Sequence, residues 1–488
     1  MSHQRAIIIA VLAASCGAPL RRDEPELPIE VPEAFGASEA EEEVSKEAWW
    51  TSFEDQELDL AIREALEHNQ NLIATAQRVE AAAAIARIAG ADRKPTVGAG
   101  ANASRDQLVF TGIPGPGGDV LTNRATTYRV SLDVAWEADI WGRLRARALS
   151  AEADRDAVAF DYDAARQSLA AQTAKAWFAW QEAKLQVELS ERTVDSFSGT
   201  NDVVLRRFRS GRGSAFDVRS SEAELAAARA LLQRRGEQVE RVERQLELLL
   251  GRYPSGTVAA ATQLPDVGEA PGSGVPSELL LRRPDLRAAE LSLLATDYAL
   301  YEARASLYPQ LTLTGSIGRT GTRVDDLGDP DFDVWSIAAG LFQPIYQGGR
   351  LRANVDLAEA NVREVLSLYA NSVLAAFAEV EINLAVNDFL EGEEGFERTA
   401  VENAQDAYTL AQSRYSAGLE DIAALLLAQR RALEAESRLL DIRRRRLEAR
   451  VDLFLALGGG FGELSMTALN DDEQDDGQPG ASNEGEQS

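Results

Sequence analysis

Residues 143–211 read RLRARALSAEADRDAVAFDYDAARQSLAAQTAKAWFAWQEAKLQVELSERTVDSFSGTNDVVLRRFRSG and contain no proline. Apolar or small side chains recur in this stretch at spacings of four and three, which predicts one continuous helix from Arg143 to about Arg209. At 1.5 Å per residue, such a helix is about 100 Å long, and no globular domain needs one of that length. Gly211 then predicts a turn into a returning helix that ends near Leu250.

The same features occur again in the second half of the chain, always at the same offset. The motif RLRA recurs, the turn sequence RFRSG recurs as RYSAG, and Leu-Gly follows both returning helices; the pairs are 143–146 with 350–353, 207–211 with 414–418, and 250–251 with 457–458. The body of the chain is therefore a duplication. Each repeat reads helix, strand, loop, strand, long helix, turn and helix.

The strands alternate between apolar and polar side chains, as half-exposed strands do. In the first repeat we expect a strand from about Val97, a loop over 112–118 and a return strand around Leu132. The second repeat copies this pattern around Leu313 and Ile337. Four strands cannot close a barrel, since about eight is the practical minimum. Either they form half of a sandwich or several chains pool their strands.

Composition excludes most enzyme chemistry. Acidic residues outnumber basic ones 79 to 50, and the net charge of −29 disfavours binding to nucleic acid. The two histidines are His3 and His68, and the one cysteine is Cys16. These residues cannot make a Cys/His metal site, a disulfide or a histidine-based triad. We expect no catalytic residue, no metal and no cofactor.

The N-terminus carries an export signal. Arg5 precedes nine apolar residues, Ala6 to Ala14, which are too few to span a bilayer. Residues 1–15 resemble a bacterial lipoprotein signal with Cys16 as the lipidated residue, and the absence of Asp after Cys16 implies sorting to the outer membrane of a Gram-negative cell. The alternative is an ordinary export signal with an incidental cysteine. No run of 18 apolar residues occurs elsewhere, so we expect no transmembrane helix in the mature chain.

The repeat and the charge distribution together define the domains. The sequence predicts the following order: signal peptide 1–15, acidic linker 16–47, first repeat 48–251, inter-repeat linker 252–274, second repeat 275–461 and acidic disordered tail 462–488.

Several motifs in this body resemble those of the TolC-type outer-membrane efflux channels, in their lipoprotein branch. They are WW at 49–50, WEAD at 136–139 leading to GRL at 142–144, RRPDL at 282–286 and QGGR at 347–350. The resemblance covers roughly residues 48 to 461. It implies a mainly α-helical fold with a membrane β-barrel: a homotrimer in which each chain gives four strands to one twelve-stranded barrel and long helices to a periplasmic tunnel. It also implies a periplasmic adaptor protein, an inner-membrane pump of the RND type and contact with outer-membrane lipid.

The resemblance places the functional residues at the two helical turns. Adaptor contacts are expected at Arg207, Gly211, Ser214, Asp217, Arg414, Tyr415 and Gly418. The aperture gate is expected at Glu420, Asp421, Ala423, Ala424 and Leu427. Family channels often carry acidic residues before the Ala-Gln pair, whereas Leu427 precedes Ala428-Gln429 here. This departure favours an apolar gate that closes by dewetting.

Other interpretations compete with some of these motifs. Ser214 and Asp217 match a capping box, Gly458 a helix C-cap, and the arginine run at 443–446 a solvated, ion-paired face. For the whole chain, a conduit for type I protein secretion is the alternative within the channel class. A lipid-anchored periplasmic coiled-coil scaffold leaves the four strands unexplained, and no spacing supports an enzyme with paired carboxylates.

Overall fold

A computed structural model describes residues 48–114, 120–258, 263–268, 271–272 and 276–460, together with residues 28, 29, 32 and 35. The elements in these ranges are α1 (Gln56–His68), α2 (Gln70–Ala91), β1 (Thr96–Pro114), β2 (Val120–Ala138), α3 (Arg143–Arg209), α4 (Ala215–Leu249), α5 (Pro276–Arg282), α6 (Pro284–Ala305), β3 (Gln310–Gly321), β4 (Asp333–Phe342), α7 (Arg350–Ser416) and α8 (Ile422–Ala456). Short 3₁₀ helices occur at Trp49–Phe53, Val324–Gly328 and Pro330–Phe332. The continuous helices predicted from Arg143 and from Arg350 are confirmed, and each has 67 residues.

The chain divides into two compact units. The sheet unit contains the described parts of 78–159 and 288–370, and the helical unit contains those of 48–77, 160–287 and 371–460. Two predicted segments, the signal peptide with Cys16 and the tail 462–488, lie outside the described residues.

The sheet unit is built on four antiparallel strands in the order β1-β2-β3-β4. The loop predicted over 112–118 begins too early, because β1 continues to Pro114; β2 begins at Val120, after the predicted loop. β2 pairs with β3 only from Tyr128 onward, where Tyr128 faces Gly321. The hairpin of β1 and β2 is therefore longer than that of β3 and β4.

The two faces of this sheet differ in chemistry as the alternation predicts. On one face Leu132 lies opposite Ala99 and Ile317, and the large apolar side chains there are exposed, with Ile337 at 83%. On the other face Ser131 donates a hydrogen bond to Asp133 (2.9 Å), and Arg129 donates one to Ser316 (3.2 Å). An exposed apolar face opposite a polar one is the pattern of a strand between lipid and a water-filled lumen.

The WEAD…GRL motif forms the junction between β2 and α3. Asp139 accepts hydrogen bonds from the backbone N–H groups of Leu144 (3.1 Å) and Arg145 (2.7 Å), which would otherwise lack partners at the helix start. Glu137 forms an ion pair with Arg143 at 2.9 Å. Gly142 adopts a φ of 72°, a left-handed conformation that favours glycine. The motif thus fixes where the strand stops and the helix begins.

The helical unit has an aromatic core close to its N-terminal segment. Trp177 and Trp180 are buried, and they pack in one cluster with Trp49, Phe53 and Phe454, among other residues. Asp55 caps α1 through the N–H groups of Glu57 and Leu58 and accepts a hydrogen bond from the indole of Trp177 at 2.9 Å. The segment before α1 is therefore fastened to α3 by one carboxylate as well as by apolar packing.

The RRPDL motif joins three elements of this unit. Its Arg283 has a side chain that is 11% exposed and donates hydrogen bonds to Asp285 (2.8 and 3.0 Å), to Glu379 on α7 (2.6 Å) and to the carbonyl of Ala456 on α8 (3.3 Å). Gly458 ends α8 with a φ of 77° and donates to the carbonyl of Leu455, so the predicted C-cap is confirmed. A side chain at Gly458 would press on Arg283 at 3.2 Å.

The arginine run at 443–446 is ion-paired, as expected, but it is not simply a solvated face. Arg446 contacts Glu394 on α7 at 2.5 Å, and the Glu394 side chain is only 4% exposed. Burial opposes the ionisation of Glu394, yet hydrogen bonds from Arg446 and Arg398 lower its pKa below the usual range. The run therefore ties α8 to α7.

One described helix, α7, contains an 18-residue stretch apolar enough to cross a membrane by length and composition. A third of that stretch is buried. Small and polar residues interrupt this stretch, so it is not a run of consecutive apolar residues.

Candidate functional site: the two helical turns

The first turn connects α3 to α4 with a left-handed glycine. Gly211 has a φ of 73°, its N–H donates to the carbonyl of Phe208 (2.9 Å), and the N–H of Arg212 donates to the carbonyl of Arg207 (2.9 Å). Ser214 and Asp217 then form the predicted capping box: the Asp217 N–H donates to the Ser214 hydroxyl (3.1 Å), and the Ser214 N–H donates to the Asp217 carboxylate (2.9 Å).

The second turn connects α7 to α8 with the same backbone pattern. Gly418 has a φ of 77°, its N–H donates to the carbonyl of Tyr415 (3.0 Å), and the N–H of Leu419 donates to the carbonyl of Arg414 (2.9 Å). Asp421 caps α8 by accepting from the N–H of Ala424 at 2.8 Å. The repeat found in the sequence is thus a repeat of turn geometry.

Arg207 joins the two turns. Its guanidinium donates to the backbone carbonyl of Tyr415 at 2.6 Å and lies over the Tyr415 ring, 4.6 Å from the centroid. A side chain added at Gly418 would contact the same guanidinium at 3.7 Å. Tyr415 is buried, and burial raises the pKa of its hydroxyl while Arg207 acts in the opposite direction. Of the predicted adaptor-contact residues, the structure brings these three together.

The helices behind the turns share an apolar cluster that includes Phe197 on α3, Leu225 on α4, Tyr415 on α7 and Leu426 on α8. Buried polar side chains cross the same contact. Gln429 is 1% exposed; it accepts a hydrogen bond from Thr200 (3.2 Å) and donates one to Ser196 (2.7 Å). The Gln of the Ala-Gln pair therefore holds α8 to α3.

The predicted gate residues fall into two groups. Glu420 forms an ion pair with Arg414 (3.1 Å), and Asp421 is the cap of α8, so both acids already have local partners. Ala423 and Leu427 are exposed, Leu427 at 38%, and stand one helical turn apart on α8. The exposed surface at the start of α8 is therefore apolar.

Sequence reasoning missed two contributors. It assigned Arg207 to the adaptor surface and did not predict its bond to the other turn, because the repeat aligns Arg207 with Arg414 and gives no sign that only one reaches across. It also missed Glu224, which pairs with Arg430 at 3.5 Å between α4 and α8. Arg430 follows the Ala-Gln pair directly, and that position was the available signal.

Both turns lie in parts of the chain that match a known protein family. The family model described as outer membrane efflux protein matches residues 61–252 and again 275–459. The chain belongs to this family. It is 33% identical over 429 residues to the pyoverdine export outer membrane protein OpmQ of Pseudomonas putida, covering 86% of this chain and 89% of that protein. It is 31% identical to the outer membrane protein OprJ of Pseudomonas aeruginosa, covering 94% and 96%.

Solved structures agree with this assignment. The outer-membrane channel OprN matches with a TM-score of 0.83 and 26% identity, covering 91% of this chain and 99% of that one. A membrane protein from Pseudomonas aeruginosa matches with a TM-score of 0.84 and 30% identity, covering 92% and 98%. The MtrE outer membrane channel of Neisseria gonorrhoeae, in its open state, matches with a TM-score of 0.80 and 28% identity, covering 91% and 98%.

The family fixes the broad function. The chain is an outer-membrane efflux channel of a Gram-negative cell, with the TolC-type fold: a mainly α-helical chain whose four strands join those of two other copies in a trimeric barrel, and whose long helices line a tunnel. This assembly explains how a sheet of four strands avoids open edges in the membrane. The family is one of transport conduits.

Among the residues that the structure describes, no group of three or more His, Cys, Asp or Glu side chains is placed to hold a metal ion.

Proposed function

We propose that this chain is the passive exit conduit of a tripartite efflux pump, in which a periplasmic adaptor meets the two helical turns and an inner-membrane RND-type pump supplies the energy. The conduit has no catalytic residue and no cofactor. The proposal is supported by the names of similar proteins, which are described as export proteins for pyoverdine and efflux-pump components for toluene. We therefore propose that small organic molecules are the cargo.

The observation that carries this proposal is the pairing of the turns. Both long helices reverse at a left-handed glycine, and Arg207 bonds one turn to the other. Paired, capped turns give a partner a rigid surface, since their backbone groups are already satisfied internally. We propose that the adaptor contacts this surface through Arg207, Gly211, Ser214, Asp217, Arg414, Tyr415 and Gly418.

We propose further that the aperture is closed by apolar side chains. Ala423 and Leu427 are exposed on the first turns of α8, while Glu420 and Asp421 are engaged in an ion pair and a helix cap. Three copies of Leu427 around a narrow opening would exclude water and ions by dewetting. Ala424, which is half-buried beside them, would complete the constriction.

Conductance of the purified trimer in planar bilayers tests the gate. Leu427→Asp should raise the closed-state ion current and make it sensitive to block by divalent cations, because three carboxylates would replace three apolar side chains. Leu427→Asn is the matched control of similar size: it should raise the current without cation block. Unchanged conductance in both variants would show that the gate lies elsewhere, and the channel assignment would stand.

A conduit for type I protein secretion is the second candidate. Expression in a strain that lacks its own efflux channel distinguishes the two. Restored resistance to small organic compounds supports the pump, whereas export of a secretion-system protein substrate without restored resistance supports the alternative.

We also propose that Cys16 carries the lipid anchor. The support is the signal sequence before it. Cells grown with labelled palmitate should label the wild-type chain and not Cys16→Ser, and full labelling of that variant would exclude this anchor.

A further inference from the structure

A cavity with a volume of about 450 Å³ lies among three helices of the helical unit. Its walls come from α3 between Gln186 and Phe197, from α4 between Glu224 and Arg235, and from α8 between Arg430 and Arg438. None of the residues expected at the adaptor surface or the aperture lines it. A volume in this range is typical of sites for small organic molecules.

The charged side chains of the cavity are unbalanced. Four arginines line it, Arg234, Arg235, Arg430 and Arg438, against two glutamates, Glu224 and Glu434. This excess is opposite in sign to the net charge of −29 for the whole chain. Arg438 is already paired with Glu397 on α7 at 3.1 Å, and Glu182 lies close enough to interact with the charge of Arg235. The positive charge available to a ligand therefore comes mainly from Arg234 and Arg235, and it favours an anion.

Arg235 has unused hydrogen-bonding capacity there. One terminal nitrogen donates to the hydroxyl of Ser437 at 3.2 Å, while its Nε is buried and has no acceptor among the described residues. A buried donor without a partner costs free energy, and an anionic ligand oxygen would remove that cost. Arg430 is only loosely held, since its distances to Glu224 and Glu434 are 3.5 and 4.0 Å.

The rest of the lining is mixed: Gln186, Ser190, Thr193 and Ser437 are polar, and the other side chains are apolar. Leu189 and Phe197 on α3, Leu231 on α4 and Leu433 on α8 face the cavity beside the arginines. Leu189 and Phe197 are almost fully buried, so each offers only an edge to the cavity. An inorganic anion would leave the apolar part of this wall facing water, whereas a ligand with an apolar body would cover it. We propose that this cavity binds an amphiphilic organic anion, with its sulfonate or carboxylate on Arg235 and its apolar body against Phe197 and Leu433. This inference does not depend on the cargo or partners proposed above.

Isothermal titration of the full-length trimer in lipid nanodiscs with 2-naphthalenesulfonate tests the site. Arg235→Gln should weaken binding about tenfold or more, which is the loss expected for a hydrogen bond between charged groups. Arg229→Gln, an exposed arginine on the same helix outside the lining, is the matched control and should change the affinity less than about twofold. The neutral analogue 2-naphthalenemethanol should bind more weakly than the sulfonate.

A second variant leaves every arginine in place. Ala227→Phe puts a large side chain into the lining and should abolish binding while the trimer stays intact on a native gel. Equal affinity of wild type and Arg235→Gln, or equal binding of the neutral analogue, would overturn the proposal. The absence of binding to the wild-type trimer would also overturn it.

Discussion

The turn after α3 and the turn after α7 share one backbone design and differ in what their arginines do. Both end a 67-residue helix at a glycine with positive φ, and both start the next helix with a side-chain cap. Arg207 crosses to the carbonyl and ring of Tyr415, whereas Arg414 stays within its own turn and pairs with Glu420. The two repeats thus share the turn, and an arginine at the same repeat position has a partner in the other turn in one case and in its own turn in the other.

The difference separates contacts within a turn from contacts between the turns. The contacts within each turn are local backbone and cap hydrogen bonds. The polar contacts between the two helical pairs include Arg207, Gln429, the Ser196–Tyr408 hydroxyl pair and the long Arg430–Glu224 pair, over a shared apolar cluster.

Arg207→Ala should weaken the contact between the two turns more than any other variant considered below. It removes a charged hydrogen bond and a cation–π contact, together about 2 kcal/mol or more between the turns. Amide exchange should rise at the start of α8 and the end of α7, and the closed-state conductance of the trimer should increase. Arg414→Ala is the control from the other repeat. Its exposed pair contributes about 0.5 kcal/mol, so similar exchange in the two variants would contradict the asymmetry.

Removal of either helix cap should destabilise its own turn by an amount between those of Arg207→Ala and Arg414→Ala, and it should leave the other turn unchanged. Ser214→Ala and Asp421→Ala each remove a bond to a backbone N–H at a helix start, at about 1 kcal/mol. Exchange should rise in the first turn of α4 in one variant and of α8 in the other, with little change in closed-state conductance. A conductance change as large as that of Arg207→Ala would show that the caps also hold the turns together.

Glu182→Gln should stabilise the fold slightly, whereas the variants above destabilise it. Burial raises the pKa of this carboxyl on α3, against the opposing hydrogen bond from Gln186 and the charges of Arg444 and Arg235. The folded chain therefore binds this proton more readily than the unfolded chain. At pH values above the ordinary carboxyl pKa, the ionised Glu182 lowers the free energy of unfolding. At pH values below it, the carboxyl is protonated in both states and this destabilisation disappears. The melting temperature of Glu182→Gln should exceed that of wild type slightly at pH 7 and match it near pH 4; no difference at pH 7 would contradict this.

A good part of the fold follows from the sequence because it depends on local patterns. The absence of proline over each long helix, the glycine that ends it and the alternation in the strands are properties of neighbouring residues. The capping box at Ser214 and the C-cap at Gly458 were predicted for the same reason. The end of β1 was placed too early because the strand continues to Pro114, into a segment whose glycines and prolines predicted a loop.

By itself the sequence determined the duplication, the two turns and the fact that four strands cannot close a barrel alone. Only the tertiary structure decided that Arg207 crosses to Tyr415 while Arg414 does not, that Glu394 is buried against Arg446, and that four arginines line one cavity. The reason is physical: turns, caps and periodicity are set by residues within a few positions of each other. A side chain's partner depends on which distant helix the packing brings beside it.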